Sequence, residues 1–401
     1  MATHEEPDKL WPVHLKPKND ELLSSWLVRL ARAHRLKVHT FCSLAWPRKQ
    51  IWNRDIDKSA DVAILEQLSI KTGTPFRRVL STTLADYENV LYEKHNTLGP
   101  TSWIMPVGVY HRTRRQFGLQ YCPLCLAEDK EPYFRRKWRL AFVVSCERHH
   151  TLLHDRCPRC GAAINFHRDE LGNHRKLVAS SLTLCHICRF DLRTANSRFI
   201  TYVTQIESKF TAMLLHAMEV GYVRLSEGIT THSLLYFLGL RQLLKIATMR
   251  DSRIERLRRA IGEEFCVATY SPSASGSRQD VQEMGVETRR RLLGIARCLL
   301  EEWPYRFIEL SRKYRIWSSL WLRHLDPPAR AHVLPAPFWL WSVVHDYLYR
   351  AKYQPSDDEV KAATNFLNKS GQPVNKSTLA RLLGISVVRR DIDGGFTQRR
   401  L

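Results

Sequence analysis

Apolar residues recur at helical spacing in several stretches of the chain and lose that periodicity between them. Residues 19–35, NDELLSSWLVRLARAHR, place Leu22, Leu23, Trp26, Leu27, Leu30 and Ala33 on one helical face, with Asn19 and Asp20 as capping residues. The spacing predicts an amphipathic core helix. In residues 61–84 a second helix turns Ile64, Leu65 and Leu68 inward and ends near Gly73. Thr74 as N-cap and Pro75 in the first turn then open another helix, with Phe76, Val79 and Leu80 inward. Two helices joined by a short glycine turn are the skeleton of a helix-turn-helix and also of a plain helical hairpin. In the first case Arg77, Arg78 and Ser81 face outward, where base or phosphate contacts are made.

From about residue 200 the pattern is helical again, most clearly in SLLYFLGLRQLLKIATM. Residues 271–277, SPSASGS, read as a flexible linker or exposed loop. Trp303, Trp317, Trp321, Trp339 and Trp341 follow, and core packing is their expected role, ahead of a docking surface. Near the end, residues 373–393 repeat the helix-turn-helix theme weakly. Ala380 and Gly384 have the offset of a first helix and its turn, Ser386 can cap the next helix, and Arg389 and Arg390 are candidate phosphate contacts. Gly394 and Gly395 would cut that second helix short.

Composition sharpens the picture through charge. The 401 residues carry 62 Lys plus Arg against 40 Asp plus Glu, a net +22. A polyanion relieves such self-repulsion, and nucleic acid is the first candidate. No apolar run is long enough to span a membrane and no signal peptide is evident, so a cytoplasmic location is expected. In a reducing compartment cysteines are poor disulfide candidates, which directs them toward metal.

Four pairs with a two-residue gap fall between residues 122 and 188: Cys122 and Cys125, Cys146 and His149, Cys157 and Cys160, Cys185 and Cys188. Such a gap lets two donors from one tight turn reach a single tetrahedral ion, and two turns complete it. Four pairs therefore imply two structural Zn2+ ions. Joining the pairs in sequence order needs the shorter loops and costs less chain entropy than a crossed pairing. His150 remains an alternative to His149, while His154 fits a connector. Cys42, Cys266 and Cys298 stand alone and read as small buried apolar residues. Both quartets are filled, and no His-x-Glu accompanies them as a deaminase would need. No phosphate-binding loop occurs either, so no enzymatic activity is expected. Arg135, Arg136, Lys137 and Arg139 lie among aromatics, either as phosphate contacts or as a solvated ribbon face.

The segments ELLSSWLVRLA, YCPLCLAEDKEPYFRRKWRLAF and CERHHTLLHDRCPRCG closely resemble the TniQ/TnsD family, accessory proteins of Tn7-like bacterial transposons. The resemblance spans residues 10–200 and matches the C-terminal half only loosely. It implies a mainly α fold with small β zinc-ribbon elements: an N-terminal helical domain with a helix-turn-helix (1–110), a tandem zinc region (111–200) and a helical C-terminal region (201–401). The eight paired residues carry over as zinc ligands, and Arg77 and Arg78 more loosely as DNA contacts. The implied activity is target-site selection on double-stranded DNA, with recruitment of an AAA+ ATPase regulator that engages the transposase. Some members are attached instead to a CRISPR effector complex and can form a homodimer. The alternative is therefore a docking adaptor on such a ribonucleoprotein, with only incidental DNA contact.

Overall fold

The computed structural model describes residues 10–168, 182–194, 200–226, 228–265, 270, 280–322, 336–349, 355–384, 388–390 and 396–398. It is mainly helical, and its described strands pair only as short antiparallel ladders. The first part holds α1 (Leu23–Ala33), α2 (Val38–Ala45), α3 (Ile56–Ser59), α4 (Val62–Thr72) and α5 (Phe76–Leu80). A hairpin of β1 (Val109–Tyr110) and β2 (Thr113–Arg114) leads to the short helix α6 (Pro123–Glu128). Beyond the cysteine region come α7 (Gln205–Val220), β3 (Tyr222–Ser226), β4 (Ile229–His232), α8 (Ser233–Ala247) and α9 (Ser252–Phe265). Then follow α10 (Val286–Leu300), α11 (Tyr305–Lys313), α12 (Ser318–Trp321) and α13 (Phe338–Leu348). The described residues up to Leu348 form one compact unit. From Tyr349 a second, smaller unit contains α14 (Asp357–Lys369), α15 (Lys376–Leu382), β5 (Val388–Arg390) and β6 (Phe396–Gln398).

Helix α1 is buried all round rather than along one face: Ser24, Ser25 and Arg29 are as enclosed as its leucines. Its polar groups find partners inside. Ser24 donates from both its backbone N–H and its Oγ to Asp57, at 2.7 and 2.8 Å. Glu21 accepts from Ser25 Oγ (2.9 Å) and from Arg29 Nη1 (2.7 Å). The expected Asn-Asp cap does not form, since the helix begins at Leu23 with no side-chain cap. Asp20 instead turns left-handed (φ 55°) and pairs with Arg136, a partner more than a hundred residues away. A buried ionic partner outweighs a local capping bond.

Helices α4 and α5 follow the predicted skeleton in part. Gly73 closes α4 in the left-handed conformation (φ 58°), which glycine adopts without a Cβ penalty. Thr74 does not cap α5; its hydroxyl is buried against that of Thr72, 2.8 Å away, and Pro75 stands in the cap position. Val79 is buried, but Phe76, expected inward, is 40% exposed. Helix α5 has only five residues.

In the second unit the weak helix-turn-helix fails. Residues 388–390 are a strand, with Arg389 opposite Thr397 and Arg390 opposite Phe396. A Val-Val run before a glycine pair favours a hairpin over a helix. Ser386, Gly394, Gly395, Cys266 and the 271–277 segment lie outside the described residues.

The C-terminal helices are pinned to the cysteine region. Arg289 of α10 is fully buried, donating to the Ala141 carbonyl (2.5 Å) and to Gln120 Oε1 (2.7 Å); burial draws its guanidinium down to about 10. Trp303, Trp321 and Trp339 are core residues, with Trp317 and Trp341 half-buried. Gly239 on α8 is required by the Trp339 ring, which a Cβ there would meet at 2.2 Å.

Candidate functional site

Three of the four residue pairs sit in the same backbone turn. In each, the N–H of the first cysteine donates to the carbonyl five residues on: Cys146 to Thr151, Cys157 to Ala162 and Cys185 to Phe190, at 2.8–2.9 Å. In each, the fifth residue donates back to that first cysteine and is left-handed: His150 (φ 51°), Gly161 (φ 71°) and Arg189 (φ 60°). This turn points the backbone N–H groups and both donor side chains to one side. The remaining pair is built differently, with Cys122 as the N-cap of α6 and Pro123 in its first turn, so that Cys125 returns on the same face.

The turns meet in sequence order. Cys122, Cys125, Cys146 and His149 form one group, and Cys157, Cys160, Cys185 and Cys188 the other, with donor atoms in each within 4.8 Å of one another. His149 Nδ1 lies 3.4, 3.3 and 3.5 Å from Cys122, Cys125 and Cys146 Sγ. In the second group Cys157 and Cys188, and Cys160 and Cys185, approach to 3.6 Å. A tetrahedral zinc with Zn–S near 2.3 Å needs donor separations of about 3.8 Å, so both sets are of the right kind and size. Thiols this close cannot all ionise unless a cation sits among them. Burial pushes Cys157 up to about 12, and hydrogen bonding to Cys122 and Cys146 holds Cys125 protonated. Filling such a site with metal displaces those protons.

Two histidine assignments follow from the geometry. His150 occupies the left-handed position of its turn and directs Nδ1 to Ser208 Oγ at 2.7 Å, away from the sulfurs. His149 faces the sulfurs with Nδ1, while its Nε2 lies 3.1 Å from Glu128 Oε2 without full hydrogen-bond alignment. His154 is a backbone bridge partner of Tyr121, tying the two groups' connector to the start of α6. Cys42 and Cys298 are buried, as isolated cysteines should be.

The basic residues divide by whether they already have an acidic partner. Arg135 pairs with Asp129, Arg136 with Asp20 and Asp86, and Lys137 with Glu147. Arg139 is fully buried between Asp55 and Asp57. These four are thus neither a solvated face nor free phosphate contacts: Arg136 and Arg139 cross-link the cysteine part to the helical part through acids far away in sequence, while Arg135 and Lys137 pair with acids six and ten residues off. Arg77 is exposed on α5, Arg78 is exposed with Nη2 donating to the Pro17 carbonyl, and Ser81 ends that helix. Arg389 and Arg390 lie on β5. What the sequence reading passed over is the β1–β2 hairpin, where Tyr110, His111, Arg112, Arg115 and Phe117 are all exposed. Its signal was the basic run HRTRR.

The TniQ family model matches residues 12–153. Over these residues the chain is similar to the TniQ family. That similarity points to an accessory role in Tn7-like transposition. The match takes in α1 to α6, the hairpin and all of the first cysteine–histidine group, and stops short of Cys157, so the second group lies beyond it. No curated protein matches the chain. No helix among the described residues is long and apolar enough to cross a membrane.

Proposed function

We propose that this chain acts as a TniQ-type protein that selects the target site in transposition, by binding duplex DNA or a targeting complex, and recruits an AAA+ ATPase regulator and through it the transposase. The TniQ match over residues 12–153 carries this reading. The net charge of +22 suits a polyanionic partner. Two structural zinc ions belong to the same reading. Cys122, Cys125, Cys146 and His149 hold one, and Cys157, Cys160, Cys185 and Cys188 the other, because donor type, count and spacing fit four-coordinate zinc. With every position taken by protein, such ions supply folding energy rather than Lewis-acid chemistry.

The test is a reconstituted transposition assay with transposase, ATPase and purified chain. The expected result is that omitting the chain scatters or abolishes insertions while the ATPase still hydrolyses nucleotide. Insertion at unchanged sites without the chain, and no co-purification with the ATPase, would refute the reading. One observation favours the docking-adaptor alternative: α5, with five residues, is short for a helix that must lie in a major groove. A ratio near one between specific and non-specific DNA affinity at physiological salt would select that alternative.

A further inference from the structure

The hairpin formed by β1 and β2 has a two-residue turn, fixed by the pairing of Val109 with Arg114 and of Tyr110 with Thr113. Its central residues, His111 and Arg112, both have positive φ, 45° and 64°. Asn-Gly is the residue pair that adopts such a turn without strain, and a His-Arg pair gives up stability there. Strain of this kind is retained where the side chains it presents have a use.

Those side chains are held in place by neutral groups. The Arg115 guanidinium stacks on the Tyr110 ring at 3.9 Å, and Arg112 Nε donates to Asn53 Oδ1 at 3.2 Å. Arg168 braces the turn by donating to the His111 carbonyl (2.9 Å) and to Thr113 Oγ1 (2.5 Å). Next along the chain, Arg156 covers the Phe117 ring at 3.8 Å. Arg156 also pairs with Asp155, but Arg112 and Arg115 pair with no carboxylate among the described residues. This is the reverse of Arg135, Arg136, Lys137 and Arg139, whose charges are internally neutralised. The uncompensated field reaches the interior: His39 is held at about 4, first by burial and then by the charges of Arg112 and Arg168.

We infer that the β1–β2 hairpin is a phosphate-backbone contact for duplex DNA, with Arg112 and Arg115 as the two guanidinium forks that meet it. The inference rests on the DNA-binding arm of the proposed function and gives it a location distinct from α5. Guanidiniums held by aromatic and amide partners keep their full charge and lose little entropy on binding phosphate. One face of each exposed ring is already covered by an arginine. The surface therefore offers cations rather than free stacking platforms, which favours duplex over single strand.

Two variants of the full chain test it, with duplex affinity measured from low to moderate salt. Arg112→Ala/Arg115→Ala should reduce the slope of log affinity against log salt by about 1.8, at about 0.9 per lost phosphate contact. His111→Asn/Arg112→Gly should raise the melting temperature, by relieving the turn, while reducing the slope by about 0.9. A purely structural hairpin cannot give that opposite movement of stability and affinity. Wild-type slopes in both variants, in a chain that binds duplex DNA, would overturn the hairpin site and leave the proposed function standing. Losses confined to single-stranded RNA would overturn the duplex assignment. A wild-type chain that binds no duplex at all would remove both this site and the DNA arm of the function.

Discussion

Adjacent histidines in the run CERHH face opposite ways because one of them must be left-handed. His150 takes the conformation that closes the turn around Cys146, and this leaves His149 to face the sulfurs. His149→Ala is therefore expected to speed zinc transfer from the first site to a chromogenic chelator, whereas His150→Ala leaves the rate at its wild-type value. The reverse ranking would exchange their roles. Glu128 stands beside His149 Nε2 and also pairs with Arg148 at 2.6 Å. A carboxylate behind a metal-binding imidazole fixes its orientation, and losing it weakens metal affinity about tenfold or more. Glu128→Gln should do so in the same chelator competition without altering the second site.

Among the elements, the stretch from Arg135 to Arg139 stitches α1 and α3 to the cysteine turns. Arg139 donates to Asp55 at 2.6 Å and lies 3.4 Å from Asp57, with Arg114 3.5 Å from Asp57 on the other side. Burial opposes ionisation of both acids. Arg139 more than offsets this for Asp55, while the Asp55 charge pushes Asp57 further up. Removing one member of such a cluster strands the others in a dry interior. Arg139→Met should cost about 3–5 kcal/mol in urea unfolding. Arg77→Ala/Arg78→Ala, on the exposed face of α5, should stay within about 0.5 kcal/mol of wild type and keep its zinc. A duplex salt slope unchanged in that double variant would remove α5 from the DNA contacts and leave the hairpin.

Across the whole molecule, packing makes one compact unit of the described residues up to Leu348, so damage at one place is felt elsewhere. His39 and His167 illustrate it. Both are held neutral, His39 at about 4 and His167 well below its ordinary 6.5, by burial first and nearby arginines second. The unfolded chain protonates these rings near 6.5 and the folded chain only at lower pH. Their contribution to stability is therefore complete above about 6.5 and is lost as pH falls toward 4. The melting temperature should drop across that window, and His39→Gln should flatten the drop. A chelator should act more broadly, since structural zinc is folding energy, and should lower the melting temperature of the whole first unit.

Local chemistry by itself determined much of this protein. The two-residue gaps specified the four donor pairs, because a tight turn is a property of a few consecutive residues. The shorter loops specified their sequential grouping, and glycine at position 73 marked the end of α4. The segments carrying the TniQ resemblance were also legible in the chain. Only the tertiary structure decided the rest. The Asn-Asp cap failed because Arg136, distant in sequence, pairs with Asp20, and the basic run at 135–139 proved internally neutralised, with Arg136 and Arg139 reaching acids far along the chain. The candidate recognition helix stopped after five residues, and the C-terminal arginines went to a strand. The hairpin emerged as one exposed cation surface because a charge is available to a partner only when the fold brings no opposite charge to it.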